Sequence, residues 1–428
     1  LEMTVSTFAS LPIKTELLAS IASLGYEHMT PIQAQALPVL LKRQDLLAQA
    51  KTGSGKTAAF AIGLLEKIEA QVYQTQALVL CPTRELADQV SKEIRQLAKT
   101  IANIKILTLC GGQPLGGQLA SLERSPHVVV GTPGRILKHL QKGSLQFSGL
   151  ETLVLDEADR MLDMGFHEDI MLILDSIPRK RQTLLFSATY PDEIGAVSDL
   201  IQREPIEIRI EATHDNKKIK QVFYQFKKGE RSKTLVALLQ HYRPESSLIF
   251  CNRKQQCQEL ADDLWQQGFH VLALHGDLEQ FERDQVLVQF SNKSSSILVA
   301  TDVAARGLDI KELAAVINYD LSTDAEAHIH RIGRTGRAAN VGLAISLFLE
   351  SEQWRVDGIA KFQGNAVTIE STDSLKPREN FKLIPPMATL LINGGRKDKV
   401  RAGDILGALT ASQKLLGKDI GKIDIFDK

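Results

Sequence analysis

A short run of acidic residues follows an apolar stretch in the first half of the chain. In TLVLDEADRM, residues 152–161, the apolar run ends in Asp156 and Glu157, and Asp159 follows two residues later. Acidic residues are common in the first turn of a helix, where they complement the helix dipole. This stretch alone therefore fits a solvated helix start and a functional cluster equally well, and the choice depends on what else the chain supplies.

A glycine-rich loop earlier in the chain supplies a partner for these acids. The stretch AKTGSGKTAAF places GSGKT between a predicted strand and a predicted helix. Gly53 and Gly55 allow the backbone amides to wrap phosphate oxygens. Lys56 can reach the outer phosphates, and Thr57 can offer its hydroxyl to Mg²⁺. The usual pattern begins with glycine where this chain has Ala50, but the strand–loop–helix context still predicts a phosphate site.

The acids and the loop are expected at the same edge of one sheet. Ligands of parallel sheets bind beyond the carboxyl ends of the strands, and both motifs follow predicted strands. Asp156 can then hold the hydrated Mg²⁺ that Thr57 also contacts. Glu157, one residue later, can orient the attacking water. The acidic run is therefore predicted to be a metal and water site.

Length and composition indicate a globular protein of two or three domains. The 428 residues are 43% hydrophobic and 24% charged, and 51 basic residues balance 51 acidic residues, so polyanion binding must come from local groups. The four cysteines show no zinc-type spacing and are expected to be reduced core thiols. The sequence has no signal peptide and no apolar run long enough to span a membrane. We therefore expect a cytoplasmic protein without a membrane partner.

Strand-like apolar runs alternate with helix-prone segments in both halves of the chain. This rhythm predicts an α/β protein with two mostly parallel sheets, each covered on both faces. The predicted domains are residues 1–210 and 221–375, joined by a linker at 211–220 and followed by a tail at 376–428. The predicted strands are 45–50, 77–81, 104–110, 127–132, 152–156, 183–189, 247–251, 270–275, 296–301, 315–320 and 342–348.

A series of short motifs runs in a fixed order through residues 8–350. They are GYEHMTPIQ (25–33), AKTGSGKT (50–57), PTRELA (82–87), TPGR (132–135), DEAD (156–159), SAT (187–189), ATDVAARGLD (300–309) and HRIGRTGR (330–337). In content and order the chain resembles the DEAD-box ATP-dependent RNA helicases, and in detail it is most similar to the bacterial DbpA subfamily. The resemblance implies two tandem RecA-like domains, ATP and Mg²⁺ as cofactors, and a loop that starts with alanine.

The resemblance assigns roles around the nucleotide. Gln33 would bond the adenine edge and Phe8 would pack on the base. Asp309 would reach the ribose, and Arg334 and Arg337 would meet the γ-phosphate as arginine fingers. The loop that would hold the phosphates consists of Ala50, Lys51, Thr52, Gly53, Ser54, Gly55, Lys56 and Thr57.

Further positions match the residues that couple hydrolysis to RNA binding and those that grip RNA. The coupling residues would be Ser187, Thr189 and His330. The RNA contacts would be Thr83, Arg84, Gly112, Thr132 and Arg135 in the first domain and Gly276, Gln280, Arg283 and Thr301 in the second. Such hydroxyls, amides and arginines hold the sugar-phosphate backbone and can distinguish RNA from DNA, but they do not read sequence. RNA is therefore the expected partner, and DNA is not.

The tail resembles the opening β-α-β of an RRM-like domain. A strand near 387–393, the basic turn GGRKDKVR (394–401), a helix and a second strand, IGKIDIF, are expected, and that domain would continue with another strand, helix and strand. The turn alone fits a solvated loop as well as an RNA contact. In the subfamily this domain anchors on a hairpin of large-subunit ribosomal RNA during ribosome assembly.

The resulting hypothesis is an RNA helicase that separates short duplexes locally. An ATP-dependent RNA clamp that never unwinds is the main alternative, although the intact Glu157 and both arginine fingers argue against it. A DNA translocase is disfavoured because such enzymes carry inserted domains that this chain lacks.

Overall fold

The computed structural model describes residues 7–50, 53–189, 192–210, 219–305, 313–322, 324–336, 341–378, 381, 383–412 and 414–426. They form two compact units, which we call the first unit (described residues up to 210) and the second unit (described residues from 219 onward). Among the described residues, no helix has the length and apolar character needed to cross a bilayer.

The first unit alternates strands and helices as the sequence predicts. Its strands are β1 (Leu46–Gln49), β2 (Ala77–Leu80), β3 (Ile106–Leu109), β4 (Val128–Gly131), β5 (Thr152–Asp156), β6 (Gln182–Ser187) and β7 (Ile206–Arg209). Its helices are α1 (Thr15–Ser23), α2 (Pro31–Leu41), α3 (Lys56–Lys67), α4 (Arg84–Leu97), α5 (Leu115–Leu122), α6 (Pro133–Gln141), α7 (Ala158–Asp163), α8 (His167–Asp175) and α9 (Asp192–Ile201).

All seven strands of the first unit pair in parallel, in the order β3-β4-β2-β5-β6-β1-β7. The central strands are buried on both faces because side chains alternate along a strand. In β5, Val154 faces one apolar cluster, whereas Leu153 and Leu155 face the other. Helices cover both faces. Because all the strands are parallel, their carboxyl ends lie at the same edge of the sheet.

The second unit repeats this architecture with the strand order β10-β11-β9-β12-β13-β8-β14, again all parallel. Its strands are β8 (Ile219–Gln225), β9 (Ser247–Cys251), β10 (Val271–Leu274), β11 (Ile297–Thr301), β12 (Ala315–Asn318), β13 (Gly342–Phe348) and β14 (Thr368–Ser371). Its helices are α10 (Arg231–Tyr242), α11 (Lys254–Gln266), α12 (Gln280–Ser291), α13 (Asp302–Ala305), α14 (Ala325–Ile332), α15 (Gln353–Gln363) and α16 (Ala402–Thr410).

Several helices begin at residues that the motifs contain. Thr30 and Gln33 form a capping box at the start of α2, and Pro31 occupies its first position. The Thr83 side chain accepts a hydrogen bond from the Leu86 amide and so caps α4. The motifs therefore specify local structure as well as chemistry.

Two expectations about secondary structure are corrected by the structure, and one about the cysteines is confirmed. The predicted linker reached residue 220, but Ile219 and Lys220 are the first residues of β8, and residues 211–218 lie outside the described chain. Strands β7, β8 and β14 were not among the predicted strands, and residues 368–371 of β14 have only one partly buried side chain. The four cysteines are buried and unbridged, as expected.

The tail forms its expected helix, α16, but neither expected strand. Gly395 is the one buried residue among the described residues of 381–426, and Leu390 and Leu391 are 69% and 65% exposed. The two stretches do contact each other: the Met387 side chain lies against Gly421, and beyond the first stretch the Arg396 amide donates to the Phe426 carbonyl at 2.9 Å. Strands form when a pleated surface packs against something, and this segment buries no apolar side chain.

Candidate nucleotide and RNA site

The glycine-rich loop joins β1 to α3 in the first unit. Gly53 and Gly55 have φ of 81° and 95°, which is backbone that favours glycine. Gly55 is the residue before α3, so the amides of the first turn of that helix point into the loop. A Cβ on Gly55 would lie 2.5 Å from the Gln33 side-chain nitrogen. Lys51 and Thr52, which the sequence assigns to the same loop, lie outside the described residues.

Gln33 ties its helix to this loop. Its side-chain oxygen accepts a hydrogen bond from the Thr30 amide at 2.9 Å, and its nitrogen donates to the Gly55 carbonyl at 3.2 Å. One N–H of the amide and one lone pair of its oxygen remain for a ligand. Phe8 is 3% exposed and stacks with Tyr26, so it belongs to the core beneath this region.

Three buried polar atoms of the glycine-rich loop and the acidic run have no hydrogen-bond partner in the described structure. They are Nζ of Lys56, Oδ1 of Asp156 and Oγ of Ser54. Buried polar groups are nearly always paired, and an exception requires an explanation such as a site for an ion or ligand. A phosphate chain would satisfy the ammonium and the hydroxyl. Mg²⁺ typically binds one or two carboxylates together with substrate phosphates and water, which fits Asp156 with the half-buried Thr57.

Asp156 ends β5 and is 2% exposed. Burial raises its pKa to about 7, the Lys56 ammonium opposes this shift, and the neighbouring Glu157 adds to it. Lys56 and Asp156 are therefore electrostatic neighbours, as the two motifs predicted. A cation bound at this carboxylate would favour its charged form.

Glu157 adopts left-handed backbone, with φ 53° and ψ 51°, directly after the strand. Such backbone is uncommon for a residue with a side chain and often marks a functional site. Its carboxylate accepts a hydrogen bond from Nη1 of Arg160 at 2.9 Å, and the two side chains are only 6% and 5% exposed. No motif singled out Arg160, although an acid and a base three residues apart at a helix start were a usable signal.

Asp159 joins the acidic motif to the SAT motif at the end of β6. Its Oδ2 accepts hydrogen bonds from the Ala188 amide at 3.2 Å, the Thr189 amide at 3.1 Å and the Thr189 hydroxyl at 2.8 Å. The expected hydrogen bonds between SAT and the DEAD segment are thus present. Ser187 contributes differently, because its hydroxyl accepts from the Thr189 amide and its carbonyl accepts from the Ala50 amide. The coupling role of these residues stays a prediction.

The strand order sorts the predicted nucleotide and RNA positions into two halves of one edge. The predicted phosphate, metal and water positions follow β1 and β5, and the predicted coupling residues lie at the end of β6, which is adjacent to both strands in the sheet. The predicted RNA positions of the first unit follow β3, β4 and β2, which are also adjacent. Both sets lie at the carboxyl ends, where ligands of parallel sheets bind.

Contacts that the sequence did not reveal connect the predicted RNA positions of the first unit. The guanidinium of Arg84 lies against Gly112, whose φ is 75°, and a Cβ there would come within 1.7 Å of Nη1. Arg135 donates to the Gln118 side-chain oxygen at 3.1 Å and to the Gln113 carbonyl at 3.2 Å. Gln118 also bonds the ring of His139, which is buried, and burial lowers the pKa of that imidazole. Thr132 precedes α6 and is half-buried.

The second unit places its predicted RNA positions beside the adjacent strands β10 and β11. Thr301 is the last residue of β11 and is 8% exposed, and Gly276 follows β10 and is exposed. Gln280 begins α12 and donates to Asp284 at 2.9 Å. Arg283 donates to the His275 carbonyl at 3.5 Å.

The HRIGRTGR motif is only partly described. His330 lies on α14, and Arg334, 7% exposed, follows that helix, whereas Arg337 and Asp309 lie outside the described residues. The motifs assigned no role to Arg331, which has the largest fully buried side chain among the described residues. Its guanidinium pairs with Asp302, donates to Asn252 at 2.8 Å and stacks over Phe250.

Comparisons with known proteins agree with this geometry. Family models match at residues 30–197 (DEAD/DEAH box helicase), 230–339 (helicase conserved C-terminal domain) and 389–428 (DbpA RNA binding domain). The ATP-dependent RNA helicase DbpA of Escherichia coli is 53% identical over 411 residues, which cover 95% of this chain and 89% of that protein. The chain belongs to the DEAD-box RNA helicases. It is an ATP-dependent RNA helicase of the DbpA type, and its ATPase is RNA-dependent.

Other DEAD-box proteins share its sequence and fold. The helicase CshA of Geobacillus kaustophilus is 42% identical over 81% of this chain and 74% of its own length. The structure of Saccharomyces cerevisiae Dbp5 bound to RNA and ADP BeF3 superposes with a TM-score of 0.76 at 31% identity, covering 86% of this chain and 96% of that one. The DEAD-box chain described here therefore has two tandem RecA-like units and a C-terminal RNA-binding domain.

Proposed function

We propose that this helicase separates short RNA duplexes locally and couples each separation to the hydrolysis of ATP. The observation that carries the proposal is the buried pair of unpartnered groups, Lys56 Nζ and Asp156 Oδ1, beside Glu157 at the end of β5. A purely structural cluster would satisfy its buried polar atoms internally. A clamp that does not hydrolyse ATP would not need an intact carboxylate to orient water.

Each residue of the nucleotide half has a proposed task. Backbone amides at the start of α3 and the Lys56 ammonium bind the phosphates, and Gln33 selects adenine. Thr57 and Asp156 hold Mg²⁺ through water, and the bound ion would neutralise phosphate charge. Glu157 orients the attacking water. Arg334 and Arg337 belong to the second unit in sequence, so their proposed action on the same nucleotide requires both units.

We also propose that RNA is gripped by its backbone and that the target is ribosomal RNA. Hydroxyls and arginines at the ends of β2, β3 and β4 suit phosphates and 2′-hydroxyls rather than base edges. Target choice would then come from the C-terminal RNA-binding domain, whose described part carries the basic turn at 394–401. A role in assembly of the large ribosomal subunit, in the cytoplasm, follows from the likeness to the DbpA subfamily.

The test compares two substitutions in binding, hydrolysis and unwinding assays. Glu157→Gln should keep the affinity for ATP and RNA but nearly abolish turnover and strand separation, because the phosphate and metal contacts survive. Lys56→Ala should instead weaken nucleotide binding itself. Hydrolysis by Glu157→Gln at the wild-type rate would refute the water-orienting role. Hydrolysis without separation of a short labelled duplex by the wild-type chain would favour the clamp.

A further inference from the structure

A cavity of about 420 Å³ opens on the second unit between helices α14 and α15. Its size falls in the range of ligand-binding pockets. Trp354, Gly358 and Phe362 line it at four-residue spacing on α15 and therefore share one face of that helix. The two aromatic side chains are 66% and 59% exposed, although aromatic residues of this size are normally buried to a large extent.

Gly358 keeps the space between the two aromatic residues open. A Cβ at this position would meet no atom within 4 Å, so the glycine is not required by close packing. Glycine in the middle of a helix is also less favourable than alanine. The floor beside it consists of Ala325 and Ile359, which are apolar. Planar groups can therefore lie on exposed rings above an apolar floor.

The charges around the cavity favour an anionic ligand with a flat apolar part. Arg355 lies over the Trp354 ring at 5.1 Å and already pairs with Glu352 at 3.5 Å, so the exposed Lys361 of the lining is the cation available to a ligand. The one acid of the lining, Asp324, caps α14 by accepting from the Ala327 amide at 2.7 Å. Exposed aromatic rings beside basic side chains are the combination that binds single-stranded nucleic acid.

We propose that this cavity binds one unpaired nucleotide of RNA, with its base stacked on Trp354 and its phosphate paired with Lys361. The proposal rests on the RNA helicase activity but not on the backbone contacts proposed above. Those contacts in the second unit lie beside β10 and β11, whereas α14 and α15 follow β12 and β13 on the other side of β9. The site would hold RNA away from those backbone contacts.

Tryptophan fluorescence tests the proposal directly because the chain has two tryptophans. In a Trp265→Phe background, Trp354 is the sole reporter, and a short single-stranded RNA should quench its emission as the base stacks. Gly358→Leu in that background should fill the cavity, abolish the quenching and weaken binding of that RNA, and Trp354→Ala should weaken it roughly 5- to 150-fold. Gly358→Ala, which adds a single methyl group, is the matched control and should retain the quenching.

The outcomes separate this inference from the proposed function. Absence of quenching by RNA in the Trp265→Phe protein would overturn the site, as would quenching that survives Gly358→Leu unchanged. Quenching by an aromatic peptide but not by RNA would also overturn it, since the occupant would then be a protein. RNA-stimulated hydrolysis and unwinding at saturating RNA should persist in Gly358→Leu. Their absence from every variant and from the wild type would contradict the proposed function and leave the quenching result standing.

Discussion

Replacing Arg160 with methionine should destabilise the first unit and lower ATP turnover. Methionine preserves the apolar stem of the side chain and removes the guanidinium that donates to Glu157 at 2.9 Å. Glu157 would keep its left-handed backbone, at φ 53°, and would lose the group that fixes its carboxylate. Turnover should fall while the KM for ATP changes little, because the phosphate loop is untouched.

The size of the effect follows from burial. The side chains of Glu157 and Arg160 are 6% and 5% exposed, and removing one partner of a buried ion pair costs about 3–5 kcal/mol. In a unit of this size each kcal/mol shifts the Tm by roughly 2–4 °C, so the expected loss is roughly 6–20 °C. The pair Arg43–Glu151 is the matched control, because it has a similar distance, 3.0 Å, but is 61% and 49% exposed. Arg43→Met should cost only about 0–1 kcal/mol.

Calorimetry of the full chain can measure these shifts, because the two units should give separate transitions. Both tryptophans belong to the second unit, so their fluorescence does not report on Arg160. The double variant Arg160→Met with Glu157→Gln should be less unstable than the sum of the single variants, because it leaves no uncompensated charge. A shift for Arg160→Met no larger than that for Arg43→Met, or strict additivity in the double variant, would refute the reasoning.

Three further predictions concern the second unit and the tail. Arg334→Ala and Arg337→Ala should each lower RNA-stimulated ATP hydrolysis on the scale of about 10³- to 10⁵-fold without weakening RNA binding in the absence of nucleotide; wild-type rates in either variant would exclude an arginine finger at that position. Burial lowers the pKa of His328 to about 3. The contribution of this histidine to the stability of the second unit should therefore be fully present above pH 6.5 and be lost as the pH falls from 6.5 to 3. His328→Phe should reduce this loss, as measured by tryptophan-monitored unfolding. Removing residues 381–428 should leave stimulation by generic RNA unchanged in an ATPase assay; loss of that stimulation would place generic RNA contacts in the tail.

The sequence predicts the central strands of both sheets because buried parallel strands have a strong signal. The predicted runs at 152–156 and 247–251 coincide with β5 and β9 to the residue, and the run at 342–348 coincides with β13. Such strands are apolar along their whole length and are bounded by helices. Strand β14 lies at the edge of its sheet with mostly exposed side chains, so no apolar run indicated it.

The contacts between segments that are distant along the chain could not be predicted from the sequence. Gln118 bonds Arg135 and His139 across 17 and 21 residues, and nothing in the residue types specifies those partners. Arg331 reaches Asp302 and Asn252, which lie 29 and 79 residues away. A motif can indicate that an arginine matters, but only the sheet topology shows which strand ends lie within its reach.

The sheet also regroups motifs that the chain presents in another order. Along the sequence, the phosphate loop after β1 precedes the positions predicted for RNA, and the acids after β5 follow them. In the sheet, β2 and β5 are neighbours, with Leu80 opposite Leu155, so Cys81 lies next to Asp156. Burial and the charge of Asp156 both raise the pKa of the Cys81 thiol.

Neighbouring strands are about 4.8 Å apart, so the predicted nucleotide and RNA positions meet at the boundary between β2 and β5. Thr83 and Arg84 lie just beyond Cys81 on one side of this boundary, and Glu157 lies just beyond Asp156 on the other. A displacement of the carboxyl end of either strand would therefore displace the end of the other. This adjacency gives a short physical route by which RNA at its proposed position on one half of the edge can affect Glu157, the carboxylate proposed to orient water, on the other.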